Sequence, residues 1–316
     1  MGFDDSYDPF RAAYGKMPSS ASSNHEIKQL YINGHFCYVY KFGIVTNGLG
    51  IVREINFYNK EFLKAHPEII VEKKSASPDE DKSVHDAKLL IPTLVDFFRK
   101  HPLINPEPFI GDSAFDSVAI YKALLAEDTF GEGKHFSKAY IPLNDRSSLE
   151  STIAECPVNE NGIPCCPKDP SLPMKPEGNT SHLRCGLKTF KFVCPKMSWG
   201  KCPDGKHRRQ CHCEDPCTDS PSGRMVYIYP EKNLRACPGA IRGTQEWDET
   251  YKNRTIVERT INHFKESFCI AGRKTRDERT LHADLLLAGI CQQITVLVAD
   301  KLHNHQHLRS LKRLIA

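Results

Sequence analysis

The period of the apolar positions changes along this chain, and each change marks an element. Residues 1–30 are mostly polar and read as a loop-like N-terminal segment. Two runs rich in Val, Ile, Phe and Tyr follow, GHFCYVYKFGIVTN at 34–47 and GIVREINFY at 50–58. They predict two β-strands joined through Asn47-Gly48-Leu49-Gly50, whose residues suit a tight reversal. EKKSASPDEDKS, at 72–83, is a charged, Ser/Pro-containing loop. In VHDAKLLIPTLVDFFRKH, at 84–101, apolar residues recur at helical spacing. His85 and Asp86 stand near the start of that helix, either as a surface cap or as support for a site. PEPFIGDSAFDS then gives a short buried strand at 108–110 that ends at Gly111-Asp112. SVAIYKALLAE reads as a helix and KAYIPLN as another short strand. The order β-hairpin, α, β, α, β predicts a mixed α/β layout whose strand-end loops can carry a site.

From about 145 to 238 the pattern changes to Pro, Gly and Cys with no long periodic helix, which predicts an inserted, loop-rich subdomain with little apolar core. Helices resume at Gln245. DLLLAGICQQITVLVADKL, at 284–302, predicts an apolar helix against the sheet, and LRSLKRLIA is a short basic tail. The predicted organisation is a polar segment at 1–30, an α/β domain made of 31–144 and 239–316, and a Cys-rich insertion at 145–238.

Composition narrows this picture. A hydrophobic share of 40% beside 26% charged residues is that of a globular chain, and 316 residues suffice for one large core with an insertion. No apolar run approaches the roughly 18 residues that span a bilayer, and the N-terminus has no signal-peptide core, so a cytoplasmic protein is expected. The net charge of +4 is uneven: residues 251–316 hold 12 Lys/Arg against 6 Asp/Glu. That basic third points to an anionic partner such as nucleic acid. Nine of the 13 cysteines lie between Cys156 and Cys217, and in a cytosolic chain such clustering points to metal rather than disulfides.

The chemistry concentrates in YKNRTIVERTINHFK, at 251–265. On one helix, Tyr251, Arg254, Glu258 and Lys265 would fall within an arc of about 60° over about 21 Å. A carboxylate flanked by cations on such a stripe suits a divalent metal with a phosphodiester laid across it, although an exposed helix face with ordinary Arg/Glu pairing has the same spacing. Asp112, just past a buried strand, would project from the strand's C-terminal edge, where metal ligands are often placed. It also fits a turn cap, for which Asp116-Ser117 is the better candidate. Phe115 and Trp247 read as packing residues, and no nucleophilic triad or Gly-rich phosphate loop stands out.

The Tyr-x2-Arg-x3-Glu-x6-Lys spacing, together with YINGHFCYVYKFGIVTNGLGIVR and FIGDSAFDS, resembles the insertion-sequence DDE transposases over nearly the whole chain. The resemblance implies a ribonuclease-H-like mixed sheet with flanking helices. Asp112 and Glu258 would be catalytic ligands of Mg²⁺ or Mn²⁺, with Tyr251, Arg254 and Lys265 on phosphates of the DNA. It implies strand cleavage and transfer at transposon ends, with transposon-end and target DNA as partners and a homodimer as the active complex. The family also needs an Asp on a first β-strand upstream of the hairpin. Upstream lie only Asp4, Asp5 and Asp8 in a polar segment, so the first strand and its Asp are expected to be missing and the domain partial. The alternative is a catalytically inactive, transposase-derived DNA-binding or zinc-ribbon protein.

In the insertion, Cys165-Cys166, Cys194, Cys211-His212-Cys213 and Cys217 resemble zinc-ribbon knuckles with looser spacing. The expected structural Zn²⁺ ligands are Cys166, Cys194, Cys213 and Cys217, with Cys165, Cys185, Cys202, Cys211 and His212 in reserve. Such a block is expected to need metal to fold. Its basic stretch KMSWGKCPDGKHRRQ is either a DNA contact or a solvated face.

Overall fold

The computed structural model describes residues 16–32, 35–73, 83–105, 107–144, 152–184, 187–268, 270 and 277–314. In chain order its strands and helices begin with β1 (Ser20–Ala21), β2 (Asn24–Ile32), β3 (His35–Val39), β4 (Phe42–Thr46), β5 (Val52–Phe57), α1 (Lys60–Ala65) and α2 (Asp86–Lys100). Next come β6 (Phe109–Ile110), a 3₁₀ turn (Ser113–Phe115), α3 (Val118–Leu125), β7 (Ala139–Tyr140), β8 (Thr152–Ile153), β9 (Cys156–Pro157), β10 (Lys175–Arg184) and β11 (Leu187–Val193). The rest is β12 (Met197–Lys201), β13 (His207–Cys211), β14 (Met225–Ile228), α4 (Gln245–Tyr251), α5 (Arg254–Glu266), α6 (Glu278–Lys301), a second 3₁₀ turn (His305–His307) and α7 (Leu311–Leu314). The chain is a mixed α/β protein whose described strands form six small sheets of two or three strands rather than one continuous mixed sheet. It divides into two compact units, Met1–Phe97 with Thr255–Ala316, and Phe98–Arg254. The second unit therefore groups β6, α3, β7 and α4 with the Cys-rich strands.

In the first unit the predicted hairpin is β4–β5, paired antiparallel from Phe42↔Phe57 to Thr46↔Val52. Asn47 closes its turn by accepting hydrogen bonds from Leu49 N at 3.1 Å and Ile51 N at 3.0 Å. Gly50 takes φ +72°, a left-handed conformation that glycine adopts without strain. The expected single strand at 34–47 is in fact two. β3 pairs with β2 in one sheet and β4 with β5 in another. Residues 24–30, expected to be loop, belong to β2. The charged loop expected at 72–83 falls mostly outside the described residues.

Helix α6 lies against β5. Its buried Gln292 accepts from Val52 N at 2.8 Å and donates to Gly50 O at 3.2 Å, so a polar side chain at the interface is fully satisfied. Around it Val52, Phe57, Phe264, Ile270, Leu285 and Ala288 form an apolar core. The opposite face leaves Leu286, Leu287, Ile290, Ile294 and Leu297 between 45% and 62% exposed. The expectation that no apolar run is long enough to span a bilayer is corrected by this helix. By length and composition it qualifies, with a mean hydropathy of 1.5 over 18 residues, because Gly, Gln and Thr interrupt the run without much lowering its average.

In the second unit β6 and β7 pair in parallel, Phe109↔Ala139 and Ile110↔Tyr140. Ser117 caps α3 by accepting from Ile120 N at 3.4 Å. Asp116, expected to share that role, is fully buried and bound by Arg235, whose Nε and Nη2 reach its carboxylate at 2.6–3.0 Å. Tyr121 Oη donates to it at 3.0 Å and Asn144 N at 2.7 Å. Arg242 adds bonds to Ile141 O, Arg235 O and Tyr121 Oη, all at 2.8–2.9 Å. The Cys-rich segment carries strands rather than loops, with β10, β11 and β14 in one antiparallel sheet. Met174, Phe190, Phe192, Val226 and Ile228 cluster with Cys156 and Cys237, which corrects the expectation of little apolar core. The alternation of Phe190, Phe192 and their neighbours on short strands hid this core within a Pro- and Cys-rich composition.

One electrostatic contact in the first unit sets a pH dependence. Glu278, at the start of α6, accepts from Asn59 Nδ2. Its carboxyl is pushed up by burial and by a hydrogen bond with Glu26, whose own carboxyl is pulled down by that bond. The folded state thus favours a proton on Glu278. That contribution is present below the ordinary Glu value of about 4.3 and is lost as pH rises through the raised value. Glu278→Gln keeps the hydrogen bonds without the charge. Thermal unfolding from pH 4 to pH 7 is expected to show the variant gaining stability relative to the wild type as pH rises. A difference that stays constant across that range contradicts the assignment.

Candidate functional site

Asp112 stands where the sequence places it, immediately after β6 and Gly111. Its Oδ1 accepts from Ser113 Oγ at 3.1 Å and Ala114 N at 3.4 Å, capping the 3₁₀ turn. Its Oδ2 accepts from Arg254 Nη2 at 2.5 Å, a contact across 142 residues of sequence. The side chain is 46% exposed. Burial works against its charge, but the bond and charge of Arg254 outweigh it, aided by Ala114 N–H and Ser113, and the carboxyl is held below its ordinary value. Asp112 is therefore both a turn cap and an ionised, half-exposed carboxylate with a cation fixed to it.

The four signature residues do not share one helix. Tyr251 ends α4, and the chain tightens through Lys252 and Asn253, with Asn253 N donating to Thr250 O at 3.0 Å, before α5 starts at Arg254. Packing explains the break. Trp247 lies on Tyr140 at 5.1 Å, and Tyr251 stacks on Trp247 at 6.0 Å, so aromatic contacts hold α4 on β7. Tyr251 is half-buried in that stack, and the turn delivers Arg254 to Asp112. On α5, Glu258 and Lys265 are exposed, on the side away from the buried Thr260 and Phe264. Both lie in the first unit, whereas Asp112, Tyr251 and Arg254 lie in the second. His85 and Asp86 take a surface role: Asp86 accepts from Lys41 Nζ at 2.9 Å, and His85 is exposed. Asp4, Asp5 and Asp8 lie outside the described residues.

The second centre is a set of thiols. Cys194 follows β11, Cys211 ends β13, and Cys213 lies two residues on. Their sulfurs all fall within 4.8 Å of one another, with Cys194 Sγ at 3.9 Å from each of the other two. A tetrahedral zinc with Zn–S of about 2.3 Å has S···S edges of about 3.8 Å, so the spacing fits a thiolate site. Gly223, at φ +76°, forms one wall, and a Cβ there would come within 3.0 Å of Cys194 Cβ. Burial raises the Cys194 thiol. Burial also opposes ionisation of Cys211, but Cys213 N–H and the other two thiols outweigh it and lower its value. Cys213 is pushed up to about 12, chiefly by its bond to Cys211. The three thiols thus perturb one another's ionisation, and a soft divalent ion would let all three ionise.

The expected ligand set is thus partly corrected: Cys194 and Cys213 belong to the cluster with Cys211, whereas Cys166 and Cys217 do not. Those two influence the buried Cys156, beside Arg224. Cys202 accepts from Gln210 Nε2 at 3.5 Å in the β12–β13 hairpin, His212 pairs with Ser198 Oγ at 2.7 Å, and Cys165 is buried. Cys185 lies outside the described residues. The adjacent Cys211-His212-Cys213 was the available signal, since two thiols one residue apart can face one centre across a strand end. Arg235, which fixes the Asp112 turn through Asp116, had no local signal at all.

No protein-family model matches the chain, and no curated protein or solved structure gives a significant match.

Purified protein is expected to hold about one zinc per chain by elemental analysis, and Cys211→Ser to lose most of it while Cys217→Ser retains it. Zinc retained equally by both variants contradicts the cluster as the site.

Proposed function

We propose that the chain is a DDE-type transposase domain that holds DNA ends and cuts and transfers them with Mg²⁺. The observation that supports this most is the contact between Asp112 and Arg254, which joins the strand-end carboxylate to the arginine of the Tyr/Arg/Glu/Lys signature. Asp112 and Glu258 offer hard oxygen donors of the kind that hold Mg²⁺, and both are accessible. Mg²⁺ held by such donors would stabilise the attacking and leaving oxygens of a phosphodiester. Arg254 holds the Asp112 carboxyl below its ordinary value, and in the DNA complex its guanidinium would turn from that carboxylate to a phosphate, with Lys265 and Tyr251 as further contacts. A transposon end and a target are the DNA partners in this reading, and two copies act together. The thiol cluster serves structure, organising β11, β13 and the hairpin between them around zinc.

A second reading is a transposase-derived DNA-binding protein without cleavage. It is favoured by Arg254 occupying Asp112.

Nicking of a labelled duplex in the presence of Mg²⁺ separates the two. The first reading expects activity that falls at least about 100-fold in Asp112→Asn and in Glu258→Gln, beyond the roughly 10–100-fold typical of outer-shell partners. Activity that persists in Glu258→Gln would sink the site assignment. DNA binding with no nicking by the chain selects the second reading.

A further inference from the structure

The first unit holds a cleft of about 1030 Å³, at the large end for ligand sites, that neither centre above uses. It is walled by α5, α6, the His305–His307 turn and the segment after it. Three guanidiniums line it, those of Arg259, Arg309 and Arg313, together with the imidazoles of His263, His305 and His307. No described carboxylate lines it.

The arginines gather with no described carboxylate among the lining residues, whereas His305 Nε2 pairs with Asp300 Oδ1 at 3.2 Å. Arg309 Nη1 donates to Thr260 Oγ1 at 3.0 Å and crowds Gly50, where a Cβ would come within 2.3 Å of it. Burial, and then the charge of Arg259, hold the Arg309 guanidinium below its ordinary value. His263 Nδ1 is buried without a hydrogen-bond partner among the described residues, and burial, with Arg309 beside it, disfavours its charge. A surface that gathers like charges around a cavity is relieved by an anion. The rest of the lining mixes polar residues such as Ser267, Thr295 and Gln306 with apolar ones: Phe268 meets the His263 ring edge-on at 4.9 Å, and Ile294 is exposed on α6. Cations beside flat apolar faces suit phosphates flanked by unstacked bases.

We propose that this cleft binds the phosphodiester backbone of a single nucleic-acid strand, with Arg259, Arg309 and Arg313 on its phosphates. The inference rests on the transposase reading only for the identity of the strand as DNA. Stacking inside a duplex hides the base faces that Phe268 and the imidazoles would meet, whereas a single strand exposes them.

The test titrates the full chain into a fluorescein-labelled thymidine oligonucleotide of about 12 nucleotides, within the size range of single-strand sites, and follows anisotropy at several salt concentrations. Arg259→Gln/Arg313→Gln leaves Arg309 on Thr260 and changes two exposed side chains. It is expected to weaken binding at least about 10-fold. The log–log salt slope should become shallower by about 1.4, since each neutralised phosphate of a single strand contributes about 0.7. Arg259→Lys/Arg313→Lys, with the charges restored, is expected to bind within about 3-fold of wild type. An affinity and slope unchanged in the Gln variant overturn the proposal. A duplex of the same length bound as tightly, with the same loss, overturns the single-strand assignment. Oligonucleotide binding that needs Arg259 and Arg313 in a chain that does not nick DNA upholds the cleft while the transposase reading fails. Nicking with oligonucleotide binding indifferent to these arginines overturns the cleft and leaves that reading standing.

Discussion

The buried pair of Asp116 and Arg235 is the constraint on which the second unit depends. A carboxylate removed from water is costly, and this one is compensated by the Arg235 fork, the Tyr121 hydroxyl and the Asn144 N–H. Loss of one partner from such a pair typically costs about 3–5 kcal/mol, because the other charge is left buried. The consequence is positional. Asp116 lies four residues after Asp112, at the start of α3, and Arg235 lies between β14 and α4. Arg242 extends the tie to Ile141 beyond β7 and stands over Trp247 at 5.4 Å. The turn bearing Asp112, the parallel strands and the β11–β14 sheet are thereby held in one arrangement, and within it Arg254 reaches Asp112.

Both chemical centres of that unit are charge arrangements that a divalent cation would change. At Asp112 an arginine supplies the compensation, so a hard ion proposed there would have to displace the guanidinium from the same oxygens. At the thiols the three sulfurs lie close together, and their spacing is already near that of a tetrahedral metal site. The first unit has the complementary imbalance, cations around a cleft with no described carboxylate.

Local patterns carried much of this into the sequence. The hairpin at Asn47–Gly50, helix α2, the short strand before Asp112 and the start of α4 at Gln245 all follow from period and turn chemistry within a few residues. What escaped depends on distant partners. NHEIKQLYI has too many polar residues to read as a strand, and it becomes one because β3 supplies its hydrogen bonds. The aromatic-rich run at 34–47 divides because its halves find different partners. The helix at 251–265 breaks because Trp247 and Tyr251 are drawn onto Tyr140. In the thiol site the spacing rule chose Cys166 and Cys217, whereas the β12–β13 hairpin folds Cys211 back beside Cys194. Asp116 looked like a cap because its partner is 119 residues away.

The central claim is that Arg254 holds the place of a divalent cation at Asp112. Crystals of the full chain with a DNA end and Mn²⁺ test it most directly through anomalous scattering. The account predicts a manganese peak about 2.1 Å from an Asp112 carboxylate oxygen, with Arg254 turned from Asp112 to a phosphate. Manganese absent from Asp112 in the DNA-bound crystals, with the Arg254 pair intact, would contradict it.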